Sequence, residues 1–189
     1  MDEETKVPDL TMFVVNVEPR PKRFLVSDTH FDHANIIKYQ NRPFKSVYEM
    51  NYELVRRWNE AVKPNDVVYF LGDLTIGGGH QTCAYWLKRL NGNIVFINGN
   101  HHDRGIADYL VTHHEGRPYL LVHDPIDAPA DYEGWIIHGH CHANHLDKYP
   151  LINPKYKTVN VCVELINYTP IEFEKVHEMV KHNQWVKTL

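Results

Sequence analysis

The amino-acid sequence predicts a single α/β domain. Apolar, strand-like runs alternate with amphipathic stretches. Five of those runs in succession deliver Asp, His or Asn at their C-terminal ends, and 189 residues with 43% hydrophobic content can bury one core. The first 22 residues read either as a polar N-terminal extension or, at Met12-Phe13-Val14-Val15, as an extra edge strand; the domain itself is expected over residues 23–189. Phe24-Leu25-Val26 marks a first strand over 23–27. A helix is expected over 46–62, where Ser46 and Glu49 have capping-box spacing and Met50, Leu54 and Trp58 recur at i, i+4 and i+8 as one buried face. Pro64-Asn65 turns the chain into a strand over 66–71. A helix over 83–90 leads to strands over 93–98, 118–123, 134–138 and 158–165, and a last amphipathic helix spans 171–182.

Composition narrows the function. The net charge of −4 and pI near 6.4 do not favour non-specific binding to nucleic acid or to anionic membranes. No apolar stretch approaches the roughly 20 residues of a membrane-spanning helix, and the opening MDEETKVPDL is too acidic and polar for a secretory signal peptide. Cys83, Cys141 and Cys162 are too few and too scattered for a disulfide framework or a cysteine zinc site, so a reducing cytoplasm is the expected compartment. The unusual number is 14 histidines, many beside Gly, Asn or Asp.

The strand ends carry the chemistry. Run 23–27 ends in Asp28-Thr29-His30, and 66–71 in Gly72-Asp73. Run 93–98 leads into Gly99-Asn100-His101, 118–123 ends in His123, and 134–138 leads into Gly139-His140-Cys141-His142. Open α/β sheets place ligand sites at these ends. Taken singly the motifs are weak: random order gives Asp-x-His about once and Gly-Asp about 0.6 times, but Gly-Asn-His and Gly-His-x-His only about 0.06 times each. All four in order, each closing an apolar strand, is expected by chance at roughly one in a thousand or below. Carboxylate, imidazole and amide oxygen together suit Mn, Fe, Ni, Co or Zn.

This series, Asp28-x-His30, Gly72-Asp73, Gly99-Asn100-His101, His123 and Gly139-His140-x-His142, resembles the calcineurin-like metallophosphoesterases over about residues 23–165. The resemblance implies a four-layer α-β-β-α sandwich of two mixed sheets flanked by helices, with two divalent metal ions at the strand ends. It implies that Asp28, His30 and His142 hold one ion, that Asn100, His123 and His140 hold the other, and that Asp73 bridges both. His101 is implied to touch substrate phosphate and to protonate the leaving oxygen. Mn is the first choice of metal, with Ni, Fe, Co or Zn as alternatives. Two positions depart from the family pattern. Ile76 stands where Asp or Arg is frequent, and His102 stands where an acid is usual, which leaves Asp103 or a more distant carboxylate to orient His101.

The implied division of roles makes chemical sense. Two cations about 3.5–4 Å apart acidify a shared water and neutralise phosphoryl charge, and a protonated imidazole assists departure of an alkoxide. Histidine and asparagine complete such a shell without negative charge that repels phosphate.

Other residues carry plainer readings. His138 reads as a core or supporting histidine, and Asp32 and His33 read equally as substrate contacts or as structural. Asn35, Arg42 and Arg104 read as solvated surface rather than phosphate contacts. His113, His114, His177 and His182 read as surface, and Cys141 as packing rather than a nucleophile. Three rival schemes explain less of the chain. Asp28-Thr29-His30-Phe31-Asp32-His33 is one residue short of the His-x-His-x-Asp-His signature of metallo-β-lactamase-fold hydrolases, and that fold leaves the two sharpest motifs unused. A non-catalytic scaffold with the phosphoesterase fold is expected to have lost ligands, whereas all seven are present. A structural zinc at His140, Cys141, His142 and His145 is crowded for a tetrahedron.

Within the phosphoesterases, the expected substrate is a small or nucleotide-like phosphodiester; a phosphomonoesterase or protein phosphatase is the alternative. Long nucleic acid is admitted but not favoured by charge, and no membrane partner is expected. The longest gap between motifs, from His30 to Gly72, holds 41 residues and is largely filled by the 46–62 helix, leaving no room for a cap domain. No Arg cluster flanks the motifs to hold the second charge of a monoester.

Overall fold

A computed structural model describes residues 20–75, 82–101 and 105–189. The expected edge strand at Met12-Phe13-Val14-Val15 lies outside them, as do Ile76, His102, Asp103 and Arg104. In chain order the elements are β1 (Arg23–Val26), α1 (Ala34–Tyr39), α2 (Val47–Ala61), β2 (Val67–Phe70), α3 (Cys83–Leu87), β3 (Asn93–Phe96), β4 (Tyr109–His114), β5 (Arg117–Val122), β6 (Trp135–His138), β7 (Ile152–Asn153), β8 (Thr158–Asn160), β9 (Ile171–Glu172) and α4 (Phe173–Lys181). They form the expected α/β sandwich of two mixed sheets flanked by helices. The first sheet has the order β3-β2-β1-β9, with β9 antiparallel to β1 and the rest parallel; the second has the order β4-β5-β6-β8-β7, with antiparallel pairs at its two edges.

Register decides which side chains meet. Phe24 pairs with Val68 and Val26 with Phe70, so these four share one face of the first sheet. Trp58 of α2 lies on that face, its ring 6.1 Å from that of Phe70. Leu25 and Tyr69 project to the other face, where Tyr69 Oη lies 3.4 Å from Thr112 Oγ1 of β4. Phe173, at the start of α4, wedges between the sheets against Tyr69, His114 and Tyr119. The anticipated α2 cap is present, with Ser46 Oγ accepting from Glu49 N.

Several elements differ from the sequence reading. The expected 158–165 strand stops at Asn160, whose side chain accepts from Cys162 N and donates to the carbonyls of His142 and Tyr149; a 3-10 turn follows over Val163–Leu165. Ile171 and Glu172 do not start the last helix. They pair with the otherwise free edge of β1, which satisfies backbone groups that a helical start leaves open. The structure also adds α1, β4 and β7. His177 is buried and His114 half-buried, against their surface reading. His177 lies in the i, i+3, i+4, i+7 stripe Phe173, Val176, His177, Val180 that faces the core, and its Nδ1 is 2.8 Å from Tyr119 Oη. Among the described residues no helix is long and apolar enough to cross a membrane.

Candidate metal centre

The loops after β1 and β2 stay joined beyond the strands. Asp28 N donates to Gly72 O, His30 N to Asp73 O and Phe31 N to Leu74 O, at 2.8–3.1 Å. An isolated bridge between Ser27 and Cys162 ties the same end of β1 to the second sheet. The residues that follow adopt left-handed backbone: Asp28, His30, Asp73, His140 and His142 have φ between 46° and 63°. Each such non-glycine residue costs on the order of 1 kcal/mol or more, and such strain gathers at functional sites. Two glycines make room for the cluster. A Cβ at Gly99 collides with the Asp73 carboxylate, and one at Gly139 collides with Ser27 Oγ and the Asp28 carboxylate. This is the physical reason that glycine precedes Asn100-His101 and His140.

The seven residues expected as ligands converge. His30 Nε2 and His142 Nε2 each lie 3.6 Å from Asp28 Oδ1. Asp73 Oδ2 lies 3.4 Å from His123 Nε2 and 3.7 Å from both His30 Nε2 and His101 Nε2. Asn100 Oδ1 is 2.9 Å from His123 Nε2 and 3.3 Å from His140 Nδ1. Donors about 2.1 Å from an ion stand about 3.4 Å apart in a tetrahedral shell, so these separations suit cations. Two overlapping groups, Asp28, His30 and His142, and Asp28, Asp73 and His123, bring ligand atoms close enough to hold a cation. Asp28 Oδ1 and both ring nitrogens of His30 are buried with no hydrogen-bond partner, whereas Asp28 Oδ2 accepts from His140 N and Cys162 Sγ. His114, Glu115 and His177 form a separate group, but Tyr119 and Glu174 already engage its histidines.

Electrostatics bind the centre together. Burial pushes the Asp28 carboxyl up, but His142, His30 and His123 beside it hold it well below the usual carboxylate range. Asp73 is likewise lowered: burial opposes this, and its bond to His123 outweighs it. His123 rises to about 9, because its bond to Asp73 and the nearby carboxylates overcome burial. Its Nδ1 meets the Leu71 carbonyl at 2.7 Å, and a carbonyl only accepts, so Nδ1 carries a proton and Nε2 turns to the cluster.

Three side chains that the sequence reading did not place at the site support it. Glu164 holds His142 Nδ1 at 3.1 Å. Arg42, read as surface, is buried: it donates to the carbonyls of Asp28 and Thr29 and forms an ion pair with Glu164 at 2.7 Å. Arg42 therefore props both the first aspartate loop and the partner of His142. Cys162 is the third, between Asp28 Oδ2 and His142 N. A carboxylate inside the apolar run Val161-Cys162-Val163-Glu164-Leu165 was the available signal. His138 is a core residue, its Nδ1 on the Gly139 carbonyl and its pKa lowered to about 4, chiefly by burial. Asp32 is structural, bonded to Asn51 and Trp86. The His33 ring lies 5.6 Å from that of His30, and burial lowers its pKa to about 4. Asn35 is exposed, and burial lifts the Cys141 thiol to about 12, as suits packing.

A family model described as calcineurin-like phosphoesterase matches residues 22–182. The uncharacterized protein MJ1445 of Methanocaldococcus jannaschii is 48% identical over 170 residues, covering 89% of this chain and 96% of that protein. A solved structure from Aquifex aeolicus, the protein of unknown function AQ665, superposes with a TM-score of 0.64 at 24% identity. It covers 84% of this chain and 99% of its own, a likeness of fold.

Proposed function

The chain belongs to the calcineurin-like phosphoesterase family, and on that premise we propose that it hydrolyses small or nucleotide-like phosphodiesters with two divalent cations. Asp28, His30 and His142 would hold one cation and Asn100, His123 and His140 the other, with Asp73 shared and Mn the preferred metal. Cations so held supply an acidified water as nucleophile and neutralise the phosphoryl oxygens. The observation that carries the reading is the set of open atoms in the buried cluster, Asp28 Oδ1 and both nitrogens of His30. Leaving such groups unmet costs about 1–3 kcal/mol each, a penalty a cation removes at Asp28 Oδ1 and at one His30 nitrogen.

The protein groups divide the remaining work. Asp73 fixes His101 by accepting from its backbone N–H at 3.2 Å. The half-exposed His101 ring stands at the mouth of the cluster and delivers a proton to the departing oxygen. Glu164 keeps the proton of His142 on Nδ1 and its Nε2 inward. Glu164→Gln is expected to weaken cation binding by about 10–100-fold, the usual cost of losing a carboxylate behind a ligating histidine, as read by metal titration; unchanged affinity removes Glu164 from this role.

The site's openness supports diesters. A cavity of about 550 Å³ borders Asn100 and His123, room for a second substituent on phosphorus. Among the described residues around the centre, the one buried arginine, Arg42, is spent on Glu164 and backbone carbonyls, so it does not serve the second charge of a monoester. Matched assays with Mn should give a higher kcat/KM for bis(nitrophenyl) phosphate than for nitrophenyl phosphate. A monoester preference of tenfold or more assigns the enzyme to the phosphatases.

A further inference from the structure

Of the histidines proposed as ligands, His140 is the least enclosed. Its side chain is 39% exposed, whereas those of His30, His123 and His142 are 11% exposed or less. Packing does less to hold so open a ring. It also stands the other way round. His123 and His142 meet acceptors through Nδ1, at the Leu71 carbonyl and at Glu164, which leaves Nε2 for the cluster. In His140 it is Nδ1 that lies 3.3 Å from Asn100 Oδ1, the atom that is also 2.9 Å from His123 Nε2. Its Nε2 lies 3.4 Å from Asp124 Oδ2.

The Asp124 carboxylate is itself held in place. Asp124 follows His123 and caps the 3-10 turn Pro125–Asp127. Its Oδ1 accepts from Ile126 N at 3.0 Å, and its backbone carbonyl accepts from Asp127 N at 3.1 Å. With Oδ1 engaged in the turn, Oδ2 is the atom left for His140. Neutral imidazole ligates through the nitrogen that lacks the proton, and the hydrogen bond made by the other nitrogen sets which one that is. For Nδ1 of His140 to take a cation, the proton must sit on Nε2. A carboxylate beside Nε2 keeps it there and makes Nδ1 the stronger donor to a metal.

We propose that Asp124 is a positioning residue, which keeps the proton of His140 on Nε2 and turns Nδ1 toward the second cation beside Asn100 and His123. This rests on the two-cation reading and adds the residue that orients the most exposed of its ligand histidines. Asp124 acts through His140 and touches neither cation nor substrate.

The test is a zinc titration of the full chain, zinc being diamagnetic and therefore compatible with NMR. Asp124→Ser and Asp124→Asn both keep a side chain that caps the turn. Serine is too short to reach His140. Asparagine, with its Oδ1 held by Ile126 N, turns its NH2 toward Nε2 and favours the wrong tautomer. In both variants the second zinc is expected to bind about 10–100-fold more weakly, with the first within about twofold of wild type. The melting temperature of the metal-free chain should not change. In zinc-loaded wild type, long-range 1H–15N spectra should place the His140 ring proton on Nε2 and those of His123 and His142 on Nδ1. A His140 proton on Nδ1 overturns the role. So does equal weakening of both zincs with a lower melting temperature, which makes Asp124 a cap of the turn only. Two zincs bound as tightly by both variants as by wild type sink the Asp124 role alone, whereas a wild type that takes one zinc sinks the two-cation reading and this role with it.

Discussion

Asp73→Asn is expected to lower kcat/KM for any phosphodiester by about 10³-fold or more, beyond the 10–100-fold typical of changes behind a ligand. The reason is that both of its carboxylate oxygens are engaged within the cluster. Its Oδ2 faces His123, His30 and His101 at 3.4–3.7 Å, while its Oδ1 accepts the His101 N–H. An asparagine must place its NH2 either toward the cations or toward that N–H, so one contact becomes a donor facing a positive group. The charge shared between the proposed cations is lost in either orientation. Metal content should fall along with rate, with circular dichroism unchanged to show that the sandwich is intact. A variant that keeps both metals and wild-type turnover removes Asp73 from the bridging role.

His101→Ala is expected to spare metal content and reduce kcat by about 10²–10⁴-fold for alkyl leaving groups, the usual range for a lost general acid. Its side chain is 42% exposed while Asp28, Asp73 and His30 are buried, as the proposed role of proton donor to the leaving oxygen requires. The loss should shrink for nitrophenolate, which leaves without a proton. An equal loss for good and poor leaving groups assigns His101 to phosphate binding instead. Among the described residues the carboxylate nearest its ring is Asp73 at 3.7 Å; Asp103, expected from the sequence as the orienting acid, lies outside them.

How much of this was legible follows from how local each signal is. Asp28-x-His30, Gly99-Asn100-His101 and Gly139-His140-x-His142 are short motifs ending strands, and the parallel register of β1, β2 and β3 brings the first three strand ends to the same edge of the sheet. The partnership of Arg42 with Glu164 spans 122 residues, so nothing near Arg42 separates a buried prop from a surface cation. Strands β7 and β9 have two residues each and exist only through their neighbours, which no periodicity reveals. Away from the motifs a histidine's sequence neighbours do not tell surface from core. His177 sits on the apolar stripe of α4, and weighing that position would have placed it inside.

The proposed centre holds two cations, and metal stoichiometry under saturating Mn, read alongside activity, tests this directly. Two Mn per chain are expected, with activity lost on chelation and restored on return of the metal. One metal or fewer per chain in fully active protein contradicts the dinuclear centre.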